Sequence, residues 1–94
     1  MNSVSSQFEV LVDERVEKDL KSVPKYIIKK FIAVLDELEI DPIRIRPGVD
    51  IKTLKGHPDI YRVRIGSYRI LYSIDFQEKV VRITTVVHRK KAYR

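Results

Sequence analysis

The last third of the chain constrains the fold most. From Ile60 it reads IYRVRI, then GS, then YRILYSIDF, then QEK, then VVRITTVVH. Each long piece alternates apolar and polar side chains and each break is a turn signal, so three antiparallel strands follow one another. Alternation of this kind requires a cover over one sheet face. Upstream, FEVLV (Phe8 to Val12) reads as a short strand, and Asp13 can cap a helix whose Val16, Leu20 and Val23 share a face. SVPK then interrupts, because Pro24 fits only the first turn of a helix. Ile27, Ile28, Phe31, Ile32, Val34, Leu35 and Leu38 form the apolar stripe of a second helix, which Asp41-Pro42 ends. The order predicts an α+β two-layer sandwich within one domain over residues 1–94. It has an N-terminal strand, a helical hairpin over about 13–41, a three-stranded antiparallel meander over about 60–88 and a basic tail, 89–94. IRIRPGVDIKTLKGHPD is expected to be a connector with short extended pieces, since its Pro and Gly argue against a long regular element.

Composition narrows the function classes. A hydrophobic fraction of 44% in 94 residues supports one small core. The absence of cysteine excludes disulfides and thiolate metal sites and fits a reducing compartment. No apolar run approaches the ~20 residues that span a bilayer. The polar MNSVSSQFEV lacks the apolar stretch of a secretory leader, so a cytoplasmic location is expected. Charge is segregated. Residues 1–51 hold eight Lys/Arg and ten Asp/Glu, a balance of −2; residues 52–94 hold eleven and three, a balance of +8. A basic half of this kind suits a polyanion, nucleic acid above all.

Register gathers the cations. Gly66-Ser67 suits a two-residue hairpin loop, which pairs Ile65 with Tyr68, Arg64 with Arg69, Val63 with Ile70 and Tyr61 with Tyr72. The Val63 and Tyr61 pairs fall under the helices, and Arg64 and Arg69 face each other on the opposite side. If Gln77 and Glu78 form the next tip, Asp75 pairs with Val80, Ser73 with Arg82 and Arg69 with Val86. His88 then lies diagonal to Arg69. Arg62, Arg64, Arg69, Arg82 and His88 would share one basic surface, with Arg89 and Tyr93 at its rim. A slip of one residue would scatter this set to both faces. Like charges directly opposed across strands repel, and an anion between Arg64 and Arg69 would relieve that, since arginine grips phosphate bidentately.

These are parts suited to metal-free RNA cleavage, in which a 2′-OH attacks the adjacent phosphorus. Arginines can stabilise the phosphorane but cannot act as bases, their pKa exceeding ~12. His88 has the side chain that titrates near neutrality, and Tyr93 would serve only with its pKa of ~10 depressed by cations. No carboxylate is expected on this face, which disfavours a carboxylate pair or a metal site, and no cofactor is expected. His57, before Pro58, and Asp59 read as structural elements of a loop.

The block LKGHPDIYRVRIGSYRILYSID, followed by VVRITTVVHRKKAYR, resembles the RelE/ParE toxin superfamily, in its RelE-like branch, over roughly residues 7–94. The resemblance implies a RelE-like fold and a toxin of a type II toxin–antitoxin pair. Such a toxin enters the ribosomal A site, cleaves mRNA there and is neutralised by a small RelB-like antitoxin. It also implies active-site roles for Arg62, Arg64, Arg69, Arg89 and Tyr93, and an RNA contact at Lys55; Lys90, Lys91 and Arg82 would be further RNA contacts. The strand cations are lysines in the family prototype and arginines here, which argues against proton transfer through them. The Arg89–Tyr93 spacing is shorter than in the prototype, leaving Tyr93 open between stacking on a base and accepting a proton. Two alternatives stand beside the ribosome-dependent endoribonuclease. One is a ParE-like toxin acting on DNA gyrase without nuclease activity. The other is a catalytically weak relative that binds RNA or antitoxin.

Overall fold

Burial of one sheet face beneath a long helix organises the molecule. The computed structural model describes residues 7–89, in the order β1 (Glu9–Val12), α1 (Glu14–Leu20), α2 (Lys25–Ile40), β2 (Ile51–Leu54), β3 (His57–Ile65), β4 (Tyr68–Asp75) and β5 (Val80–His88). The strands form one sheet in the order β1-β5-β4-β3-β2. β2 to β5 are antiparallel to their neighbours, and β1 adds to the β5 edge in parallel. The predicted α+β arrangement is therefore present, and the connector contributes a further strand, β2. At four residues that strand carries too little alternation to be read beside its Pro and Gly.

The helices form where the sequence directs them. Asp13 caps α1, its Oδ1 accepting the Arg15 amide at 2.8 Å. Pro24 sits at the N-cap of α2, where its missing N–H leaves no helical bond unmade. Ile27, Phe31, Val34 and Leu38 are the buried positions of α2, an i, i+4, i+7, i+11 series. Ile32, assigned to the stripe on its apolar character, lies outside it and is exposed. Beyond α2, Asp41 Oδ1 accepts the amides of Ile43 and Arg44, at 2.9 and 3.0 Å, and these bonds hold its carboxyl below the usual range.

Opposite the helices, Val63, Ile65, Ile70, Tyr72, Val81, Ile83 and Val86 supply the sheet side of the core. Tyr61 stacks on Tyr72 at 5.5 Å between ring centroids. Side-chain bonds tie the connector down. Arg46 Nε donates to Glu37 Oε1 at 3.0 Å, and the buried Tyr72 hydroxyl donates to the Pro42 carbonyl at 2.7 Å. Burial pushes the Tyr72 phenol well above its ordinary pKa. At the β3–β4 tip Gly66 has φ +57° while Ser67 does not turn positive, the pattern of a type II′ turn. A Cβ on Gly66 would meet Ile27 Cδ1 at 3.0 Å.

Two stability outcomes follow. Tyr72→Phe removes the only described partner of the Pro42 carbonyl and should cost about 1–2 kcal/mol in denaturant unfolding; an unchanged midpoint would contradict that bond's role. Gly66→Ala combines a backbone region hostile to L-residues with the Ile27 contact and should cost about 1–3 kcal/mol, read as a lower melting temperature.

Candidate nucleic-acid interface

The sheet face turned away from the helices carries the cations. Arg64 pairs directly with Arg69, and Arg62 pairs with Lys52 on one side and Leu71 on the other. Directly opposed side chains have Cβ atoms only ~5 Å apart, so Arg64 and Arg69 stand as immediate neighbours across the two strands. Arg64 is exposed and Arg69 half-buried, whereas Arg62 is only 6% exposed. Lys52 is a cation of this face that sequence reasoning missed, because its strand was hidden in the connector. The Arg62–Lys52 pairing in β2 is what brings it there.

The other edge of the cluster differs from expectation. Pairing runs as expected from Asp75↔Val80 to Tyr72↔Ile83, but Leu71 then meets Thr85, so Thr84 is an extra residue. This is a β-bulge, and the Thr84 hydroxyl donates to the Leu71 carbonyl at 3.4 Å. Every later residue of β5 changes side. Val87 faces Arg69 where Val86 was expected, and Val86 is buried in the core. His88 pairs with Tyr68 on the helix side, its ring edge-on to the tyrosine at 5.0 Å between centroids. It lines a pocket there with Asp19, Ser22 and Val23. The expected place of His88 on the arginine face is therefore corrected by one inserted residue. The same insertion delivers Arg89. Its amide donates to the Ser67 carbonyl at 2.6 Å, which ties Arg89, one residue past the end of β5, to the β3–β4 tip.

The remaining candidates are dispersed. Arg82 pairs with Ser73 on the same face, four strand positions from Arg69, about 13 Å at ~3.3 Å per residue. Lys55 lies in the β2–β3 turn next to His57, at the far end of β3 from Arg64, about 23 Å by the same rise. Tyr93, Lys90 and Lys91 lie outside the described residues. A carboxylate does approach the face, against expectation: Asp50 Oδ2 stands 3.6 Å from Arg62 Nη1. Asp50 immediately precedes β2 and comes alongside β3 only through the Ile51↔Val63 pairing, which the unread strand concealed.

Chemically the face offers cations of a kind that can grip phosphate: Arg64 and Arg69 opposed, Arg89 at the hairpin tip, Lys52 and the buried Arg62 behind. Comparison with known proteins fits this geometry. Residues 10–93 match the family described as the ParE toxin of the type II toxin–antitoxin system parDE. The chain is 38% identical over 88 residues to RelE1 of Methanocaldococcus jannaschii, covering 94% of this chain and 97% of that one. It is 34% identical over 85 residues to the toxin RelE3 of the same archaeon, covering 90% and 94%. The RelE–RelB complex of Pyrococcus horikoshii superposes with a TM-score of 0.77 at 34% identity, over 88% of this chain and 96% of its counterpart. The isolated E. coli RelE toxin, at 24% identity and a TM-score of 0.70, shares the fold. The chain thus belongs to the RelE/ParE superfamily of type II toxin–antitoxin toxins, in its RelE family.

Proposed function

We propose that this toxin is a metal-independent, ribosome-dependent endoribonuclease of the cytoplasm that cleaves mRNA in the A site and so stops translation. The observation that carries this is the direct opposition of Arg64 and Arg69 on an open sheet face, with Arg89 laddered beside them. Two guanidiniums in that position can close on one anion from both sides. The charge that develops on a phosphorane is the anion they suit best, because it exceeds that of the ground-state diester. Held by a sheet, the cations need no rearrangement as that charge forms.

In this account Arg64 and Arg69 hold the non-bridging oxygens of the scissile phosphate, and Arg89 stabilises the developing charge from the tip. Lys52 and Arg82 contact the flanking backbone. The 2′-OH attacks phosphorus, the 5′-oxygen leaves, and the products carry a 2′,3′-cyclic phosphate and a 5′-OH. With His88 turned toward Tyr68, Tyr93 is the preferred candidate for proton transfer. Neutralisation falls to a RelB-like antitoxin, as in the RelE–RelB complexes whose toxin chains superpose on this one.

Primer extension on mRNA in a reconstituted translation system tests the assignment. Wild-type protein should give discrete cuts that require ribosomes, and Arg69→Ala or Arg89→Ala should lower the cleavage rate by about 10²–10³ with the fold retained. Intact message after incubation with wild-type protein and ribosomes would refute the nuclease. His88→Ala should cleave within about threefold of wild type, whereas Tyr93→Phe should lose at least tenfold; the reverse ranking would return the proton transfer to His88. The match to a family described as ParE favours a second reading, inhibition of DNA gyrase. Growth arrest that survives the Arg69→Ala, Arg89→Ala double substitution would support that one.

A further inference from the structure

Arg62 is the buried charged residue among those described. A guanidinium withdrawn from water needs a counter-charge and filled hydrogen bonds. Arg62 has neither in full. Its Nη1 is buried and donates to no acceptor among the described residues. Its ion-pair partner, Asp50 Oδ2, stands 3.6 Å away, beyond hydrogen-bonding distance. Asp50 is itself half in water, its side chain 48% exposed. The same residue reaches the next arginine through its backbone: the Asp50 carbonyl accepts the Arg64 amide at 3.4 Å. One residue at the mouth of β2 thus touches both strand arginines, one through its carboxylate and the other through its main chain.

We propose that Asp50 is a positioning residue for the phosphate site, holding the Arg62 guanidinium beneath Arg64 and Arg69 so that its charge reinforces their grip on the phosphate. This rests on the nuclease reading above and deepens it. A carboxylate on an RNA-binding face is otherwise a liability, since it repels the backbone. That gives the two roles opposite signatures. If Asp50 were only a surface charge, its removal would tighten RNA binding and leave turnover alone. As a positioning residue it supports the transition state through Arg62, so its removal lowers kcat without raising KM.

The experiment compares wild type, Asp50→Asn, Asp50→Glu, Arg62→Ala and the Asp50→Asn, Arg62→Ala double variant in ribosome-dependent cleavage. Asp50→Asn should lower kcat ten- to a hundredfold at unchanged or lower KM, and Asp50→Glu should recover part of the loss. In the Arg62→Ala background Asp50→Asn should cost less than threefold more, because Asp50 acts through Arg62. Equal losses in both backgrounds, or a wild-type kcat in Asp50→Asn, would overturn the proposal while leaving the nuclease intact. A second readout does not need cleavage: the Arg62 side-chain N–H resonances titrated with inorganic phosphate. They should be sharp and shift on phosphate addition in the wild type, and broaden without that shift in Asp50→Asn. Identical spectra and phosphate responses in the two proteins would overturn the proposal whether or not message is cut. Failure of the wild type to cut, with the phosphate response intact and dependent on Asp50, would instead sink the nuclease reading alone.

Discussion

The pairing of Arg64 with Arg69 depends on what lies beneath it. Two like-charged side chains directly opposed across strands are mutually unfavourable, by less than about 1 kcal/mol at a solvated face. On the other side of the same strands, Val63 meets Ile70 and Ile65 meets Tyr68, with Val63 and Ile70 almost wholly buried against α2. Burying one such side chain contributes about 1.5–3 kcal/mol. The core therefore sets the register and the arginines accept it. Gly66 closes the hairpin in a two-residue turn, and Ile27 of α2 packs close to that turn. The opposition is thereby held in a rigid frame, which is the condition for electrostatic preorganisation.

A single inserted residue decides which side chain joins that frame. Without Thr84 as an extra residue in β5, strict alternation would carry His88 onto the arginine face and turn Arg89 toward the helices. With it, His88 packs edge-on against Tyr68 and Arg89 reaches the hairpin tip. The bulge therefore trades a titratable ring for a permanent cation.

The sequence disclosed those parts of the fold that rest on strong local signals. Gly66-Ser67 and the alternation around it were enough to pair Arg64 with Arg69, and Asp13, Pro24 and the α2 stripe were enough to bound both helices. Two features stayed hidden for physical reasons. β2 is four residues long and sits among Pro47, Gly48 and Gly56, so neither Lys52 nor Asp50 could be placed beside Arg62. The bulge lies in ITTVV, a run of β-branched residues that suits either register equally, and no glycine or proline marks the extra residue. Ile32 is a third case: its apolar character suggests the core, while its angular position on α2 takes it to solvent.

In the proposed nuclease Arg64 and Arg69 act on one phosphate as a unit. A double-mutant cycle on single-turnover cleavage of ribosome-bound message measures this most directly. Arg64→Ala and Arg69→Ala should each slow cleavage strongly, and the double variant should be little slower than the worse single one. Losses that multiply would contradict it, because they would mean that the two guanidiniums contact separate groups.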